Sequence, residues 1–359
     1  MLGSFALVAA FIAVACGSSS STTGTDDTSD LANAATKKDA STSTAFVPGD
    51  DDDASTSASD TSVQEGGMDG SAPAKNIKTV FVIVMENHSW SSVKNANYIK
   101  NTLLPMAAHA ENYKTPPGLH PSEPNYIWME AGDNLGITND DNPDKNHQAT
   151  KEHLTAQLDA AGISWKAYAE DIPGDDCPLS GTGKFSPKHT PQLFFDDVTG
   201  TNNANSAYCK AHVRPFSEFE SDLTAKKVAR YNFITPNLCH DMHGDVKCLL
   251  GNTNLVGGGD DWLKDHVPPI LASAAYKDHG ALFILWDEGD EPLFGLGGEA
   301  SDGPIGFIAL SATAKKGYAG NVAYTHSSFF RSLEEIFGVP YLRGAKTATS
   351  VSDLFTAFP

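Results

Sequence analysis

The stretch VFVIVMENHSW, residues 80–90, decides how this chain is read. Its six apolar residues follow one another without a polar break, and a carboxylate, an amide and an imidazole then come in succession at Glu86, Asn87 and His88. A strand with one wet face would alternate, so an unbroken run belongs inside a parallel sheet covered on both sides. Polar groups at its carboxyl end lie where such sheets open a ligand crevice.

Two further segments share this design. NFITPN leads to Cys239-His240-Asp241-Met242-His243, and ALFILW is followed by Asp287-Glu288-Gly289-Asp290. Strands expected over 78–85, 164–169, 228–235, 281–286 and 305–310 alternate with helices expected over 99–110, 147–161, 216–227, 261–276 and 327–337. This alternation predicts an α/β fold with a mostly parallel central sheet and helices on both faces. Three strands emptying onto carboxylates and imidazoles at one edge describe a centre for a divalent metal ion held by hard oxygen donors with some histidine.

The chain has 359 residues, with 45 acidic and 25 basic side chains and a net charge of -20, which argues against nucleic-acid binding and against charge-driven adhesion to anionic lipid. Residues 1–15 are apolar but too few to cross a bilayer. With Cys16 they resemble the bacterial lipoprotein signal, although no Lys or Arg precedes the run. Residues 1–16 are therefore expected to direct export, with Cys16 lipid-anchored to a bacterial membrane of the cell envelope. Residues 17–75, built from Ser, Thr, Asp, Ala and Gly, bury too little to offset their ordering entropy and are expected to form an extended linker. Residues 76–359 make the folded domain. Cys177, Cys209, Cys239 and Cys248 allow three connectivities in an exported protein, of which pairing sequence neighbours is the most economical. No CxxC pair supports a zinc site instead.

A nucleophile is offered by HPSEPNYIWMEAGD, residues 120–133. Pro121 and Pro124 bracket Ser122 and Glu123 at the start of an expected helix, where free N–H groups and the dipole favour an anion. A hydroxyl beside a cation there can attack a bound phosphate. The competing reading makes Ser122 a plain N-cap, with Pro124 in the first turn.

ENHS (86–89), PSEPNY (121–126), PNLCHDMHGD (236–245), WDEG (286–289) and THSSFFRSLEEIFG (325–338) resemble, in this order, the bacterial and fungal phosphoesterase family of acid phosphatases and phospholipases C. The resemblance spans residues 80–340 and implies the alkaline phosphatase-like fold. It implies that Glu86, Asn87, Asp287 and Glu288 bind metal beside the nucleophile Ser122. Asp241, His243 and His326 would hold a second metal or move protons around the leaving group, and Asn125 falls among the catalytic positions. The chain departs from the family at Trp90, where Phe is usual, and at Asp290, where Gly is common. Whether His88 enters the site or braces its loop is open.

The implied function is a metal-dependent phosphoesterase, read as an acid phosphatase-like phosphomonoesterase working through a phosphoserine. A phospholipase C-type phosphodiesterase is the alternative within the class, and a non-catalytic ligand-binding surface lipoprotein the alternative outside it. A sulfatase would carry an Arg soon after the Pro that follows its nucleophile, and Asn125 and Tyr126 stand there instead. A serine hydrolase of this fold type would carry GxSxG, which is absent.

Overall fold

In the computed structural model, which describes residues 77–245, 248, 254–290 and 300–359, the opening apolar run is the central strand of a large sheet. The strands in chain order are β1 (Thr79–Met85), β2 (Ala108–Ala110), β3 (Tyr113–Lys114), β4 (Trp165–Ala169), β5 (Val213–Pro215), β6 (Tyr231–Thr235), β7 (Gly280–Trp286), β8 (Phe307–Ser311), β9 (Tyr318–Gly320) and β10 (Tyr324–Thr325). Across the main sheet they lie in the order β5-β4-β6-β1-β7-β8-β2-β9, and β3 pairs separately with β10. β1 runs parallel to both neighbours, with Val80 beside Tyr231 and Met85 beside Trp286.

β6, β7 and β8 are buried at every residue, and β1 at every residue after Thr79. Successive side chains of a strand point to opposite faces, so both faces of the sheet are covered. This is the mostly parallel α/β architecture the apolar runs predict. One expected strand, however, runs the other way: β8 is antiparallel to β7 and to β2.

The longer helices are α1 (Ser122–Ala131), α2 (Leu154–Ala160), α3 (Leu255–Ala272) and α4 (His326–Phe337). α4 buries Phe329, Phe330, Leu333, Ile336 and Phe337, an apolar stripe at helical spacing. A capping box between Thr325 and Ser328 starts it, and Gly338 in the left-handed region at φ 68° ends it. It packs on α1, where the Trp128 indole N–H donates to Ser327 Oγ at 2.8 Å.

Several expected helices are shorter. Of residues 99–110, only Ile99–Leu103, as a π-helical turn, and Leu104–Met106 are helical; Ala108–Ala110 instead forms β2 between β8 and β9. Sheet pairing there overrides local helical preference. Of residues 147–161 only α2 is helical, because His153 is extended at φ -146° and drawn into a buried cluster with Glu130 and Asp197. The disulfides join Cys177 to Cys209 and Cys239 to Cys248, the economical pairing. The signal and linker, residues 1–75, lie outside the described residues.

Candidate active site

The register of β1 on β7 builds the centre. Because Met85 and Trp286 are partners, Glu86 and Asp287 leave the sheet side by side. Asn87 turns at φ 39°, a left-handed conformation that Asn tolerates better than most side chains. Its backbone N–H donates to Asp287 Oδ1 and its amide Nδ2 to Glu288 Oε1, each at 3.0 Å. The Glu86 N–H donates to the Asp241 carbonyl at 2.8 Å, which draws in the loop after β6. The Cys239–Cys248 disulfide staples that loop around Asp241 and His243. Glu86, Asn87, Asp241, Asp287 and Glu288 are all at most 3% exposed.

Ser122 is the first residue of α1, not its cap. The cap position is Pro121, which has no capping side chain, and Asp140 Oδ1 accepts the Glu123 N–H at 2.9 Å from another loop. Ser122 Oγ is thereby free to face Glu86 Oε2 at 3.0 Å, Glu288 Oε1 at 3.4 Å and Asn87 Oδ1 at 3.5 Å.

One hydroxyl proton cannot satisfy three acceptors. Asp287 Oδ2 and Asp241 Oδ2 are also buried without a hydrogen-bond partner. Burial, then the neighbouring Glu86 charge, pushes the Asp287 carboxyl well above the usual carboxylate range and that of Asp241 up to about 7. For Glu86, burial acts in the same direction but His189, His243 and Lys188 outweigh it and hold its carboxyl at about 2. Among the described residues, no three His, Cys, Asp or Glu side chains already stand at metal-ligand spacing. The donor set nevertheless fits a hard divalent cation: carboxylate, amide and hydroxyl oxygens crowd together with more lone pairs than protons. Glu86, Asn87, Asp287 and Glu288 are the residues that would hold it beside Ser122.

The remaining expected residues divide. His243, on the Asp241 loop, is 24% exposed on its side chain, with Nδ1 3.7 Å from Glu86 Oε2, so it reaches both the centre and solvent. Asp241 accepts the His243 and Gly244 N–H groups on Oδ1 and so shapes that loop. His326 is fully buried, with Nε2 on the Asp287 carbonyl at 2.6 Å and Nδ1 on the Tyr113 hydroxyl at 3.0 Å. Burial lowers its pKa to about 4, and both ring nitrogens are engaged, one of them on the carbonyl of Asp287 itself. Asn125 Nδ2 donates to the Leu119 and Pro121 carbonyls, which holds the turn into Ser122. His88 supports its loop, with Nε2 on the Met242 carbonyl and Nδ1 on Asp290. Asp290 also accepts from the Ser89 N–H and the Ser92 hydroxyl, so it organises the turn after β1.

Several residues enter that the sequence reading does not assign. Tyr126 donates its hydroxyl to Glu86 Oε1 at 2.5 Å and stacks on His189, ring centroids 5.1 Å apart. His189 Nε2 lies 3.3 Å from Glu86 Oε1. His120 bridges Glu288 and Asp302; its hydrogen bond to Glu288 outweighs burial and raises its pKa. Lys188 Nζ donates to Asp140 Oδ2 at 2.8 Å. Tyr126 and His120 lie inside a motif already quoted, whereas Lys188 and His189 sit in PKHTP, where the proline bracketing was the available signal.

The architecture is alkaline phosphatase-like, and the chain's relatives are hydrolases of phosphoric esters. The chain belongs to the phosphoesterase family, whose model matches residues 115–340. It is 26% identical over 279 residues to a phosphatidylinositol-3-phosphatase of Mycobacterium tuberculosis, covering 77% of this chain and 82% of that one. It is 29% identical over 230 residues to a phosphate-repressible acid phosphatase of Penicillium chrysogenum, covering 62% of this chain and 50% of that one. An acid phosphatase of Aspergillus niger is likewise 29% identical, over 62% of this chain and 50% of its own length. The chain thus spans about half the length of these fungal relatives. A Vibrio parahaemolyticus protein of the alkaline phosphatase superfamily superposes with a TM-score of 0.50 at 8% identity, over 77% of this chain and 72% of that one, a likeness of fold.

Proposed function

We propose that the chain is a metal-dependent, acid phosphatase-like phosphomonoesterase in which Ser122 attacks phosphorus and becomes transiently phosphorylated. The observation that carries this is Ser122 Oγ set among Glu86 Oε2, Asn87 Oδ1 and Glu288 Oε1 at the start of a helix whose cap comes from elsewhere. A divalent cation held there would lower the pKa of the hydroxyl and offset the charge of the phosphoryl group. Glu86 and Asn87 aim Oγ, and Tyr126 and His189 in turn fix Glu86. Oγ gives up its proton to solvent, and as its new bond to phosphorus forms the bond to the leaving oxygen breaks; when water later attacks phosphorus, the bond to Ser122 Oγ breaks in turn. His243, at the partly open side, gives the leaving oxygen a proton and takes one from the water that later releases phosphate. The fungal acid phosphatases and the mycobacterial phosphatidylinositol-3-phosphatase support a phosphate-ester substrate.

The test is to trap a phosphoenzyme with labelled p-nitrophenyl phosphate and map the label. Label on Ser122, lost after thorough chelation and regained on adding a divalent cation, supports the reading; full turnover in metal-free protein defeats it. Export and anchoring through Cys16 belong to the same proposal, supported by the apolar run before Cys16 and the polar segment after it. In a bacterial host the chain should partition with membranes and Cys16→Ala should not.

A further inference from the structure

We propose that Lys188 selects phosphomonoester dianions: its ammonium takes the second anionic oxygen that a monoester has and a diester lacks, and Asp140 holds it in place until the substrate arrives. The proposal rests on Ser122 being the point of attack.

Lys188 lies in the 3-10 turn Pro187–His189, directly before His189, whose Nε2 is 3.3 Å from Glu86 Oε1. The ammonium turns to Asp140 beside the start of α1, and the Glu86 and Asp287 charges both act on it. Its Nζ donates to Asp140 Oδ2 at 2.8 Å, and the other oxygen of Asp140 accepts the Glu123 N–H at 2.9 Å, the peptide next to Ser122. One carboxylate thus occupies an ammonium and a helix N-terminal N–H together. Those are the two kinds of donor that phosphoryl oxygens take.

The pair is reachable: the side chains of Lys188 and Asp140 are 18% and 30% exposed, while those of Glu86 and Glu288 are at most 1%. Glu86, Glu123, His189 and Asp241 all feel the Lys188 charge, which places it electrostatically within the site. A monoester carries close to two negative charges near neutral pH and a diester one. Against four carboxylates, the second charge needs a cation of its own, and a lysine supplies it as a compact donor. Asp140 plays two parts, capping α1 through Oδ1 and lending Oδ2 to Lys188.

Full-length chains carrying Lys188→Ala, Lys188→Arg or Asp140→Asn would be assayed on p-nitrophenyl phosphate and on bis-p-nitrophenyl phosphate. For Lys188→Ala, kcat/KM on the monoester should fall about 30-fold, the loss of one charge-assisted hydrogen bond, and on the diester less than about 3-fold. Lys188→Arg should recover most of the monoester rate. Asp140→Asn retains an acceptor for the Glu123 N–H but loses the ion pair that positions the ammonium, so monoester kcat/KM should fall about 3- to 10-fold, less than for Lys188→Ala, with the diester rate little changed. Equal losses on both esters, or Asp140→Asn matching Lys188→Ala, would make the pair a structural brace and overturn the proposal. Inorganic phosphate titrated into Ser122→Ala, with and without Lys188→Ala, gives a readout free of turnover. Binding should weaken about 30-fold without Lys188. Unchanged binding overturns the role of Lys188, whereas turnover surviving in Ser122→Ala defeats only the nucleophile assignment.

Discussion

Ser122 Oγ lies 3.0 Å from Glu86 Oε2, a bond that joins the first turn of a helix to the end of the central strand across 36 positions of chain. A serine at a helix start commonly turns its oxygen back onto the helix N–H groups. Here Asp140 takes the Glu123 N–H instead, and the hydroxyl is released toward the carboxylates.

Ser122→Ala should therefore cost less than about 1 kcal/mol of stability, since no cap is lost, while kcat falls by about 10⁴ or more. Asp140→Ala should show the opposite emphasis, losing about 1 kcal/mol in denaturant titration. Ser122→Ala turning over within a few-fold of the parent would place the nucleophile elsewhere.

Glu288→Gln should reduce divalent-metal content at a fixed free-metal concentration, because Glu288 Oε1 lies against both Asn87 Nδ2 and Ser122 Oγ. A loss of about 10-fold or more in metal affinity is expected, with far-UV circular dichroism unchanged. Stoichiometric metal retained in a Glu86→Gln, Glu288→Gln double variant would remove these residues from the ligand set.

His153 should make stability depend on pH. It is fully buried between Glu130 Oε1 at 3.1 Å and Asp197 Oδ1 at 3.0 Å. Burial opposes its charge, but the two carboxylates outweigh it and raise its pKa above 6.5. A raised folded-state value gives stability that is fully present below the unfolded pKa, about 6.5, and is lost as pH rises through the folded value. Asp197, lowered through His153 in spite of burial, loses its share only at acid pH. His153→Gln should be less stable than the parent by about 3 kcal/mol near pH 5.5, and the gap should narrow as pH rises from about 6.5 through the raised folded value. A gap that stays constant over that range would argue against a charged His153.

Gly306→Ala should disturb the centre from behind. A Cβ there would stand 2.1 Å from Trp286 Cε3, and Trp286 is fully buried immediately before Asp287. The rigid indole has no room to yield, so a loss of about 1–3 kcal/mol is expected, together with reduced activity. Parent-like melting and turnover would show that the ring can shift without moving Asp287.

Much of this architecture was legible because the residues that matter follow apolar strands directly. Glu86 and Asn87 come straight after β1, and Asp287 and Glu288 straight after β7, so finding the strands found the buried carboxylates that meet Ser122. The Asp241 loop was legible for the same reason, behind β6. The short strands β2, β3, β9 and β10 were not, since two or three residues carry no period to read. His326 and Asn125 were placed at the site by their motifs, and what only folding shows is that each side chain meets backbone carbonyls nearby, of Asp287 for His326 and of Leu119 and Pro121 for Asn125.

The sequence by itself determined the class of fold, the central strands and the carboxylates at their ends, because continuous apolar runs and the residues that close them are local properties of the chain. Only the tertiary structure decided that Ser122 is no cap, that β8 runs backwards, that His189 and His120 reach Glu86 and Glu288, and that Asp140 takes both the Glu123 N–H and the Lys188 ammonium. Those outcomes depend on which distant acceptor reaches a free N–H, and which distant donor reaches a carboxylate, first. That competition is settled by packing, and no spacing within the chain records it.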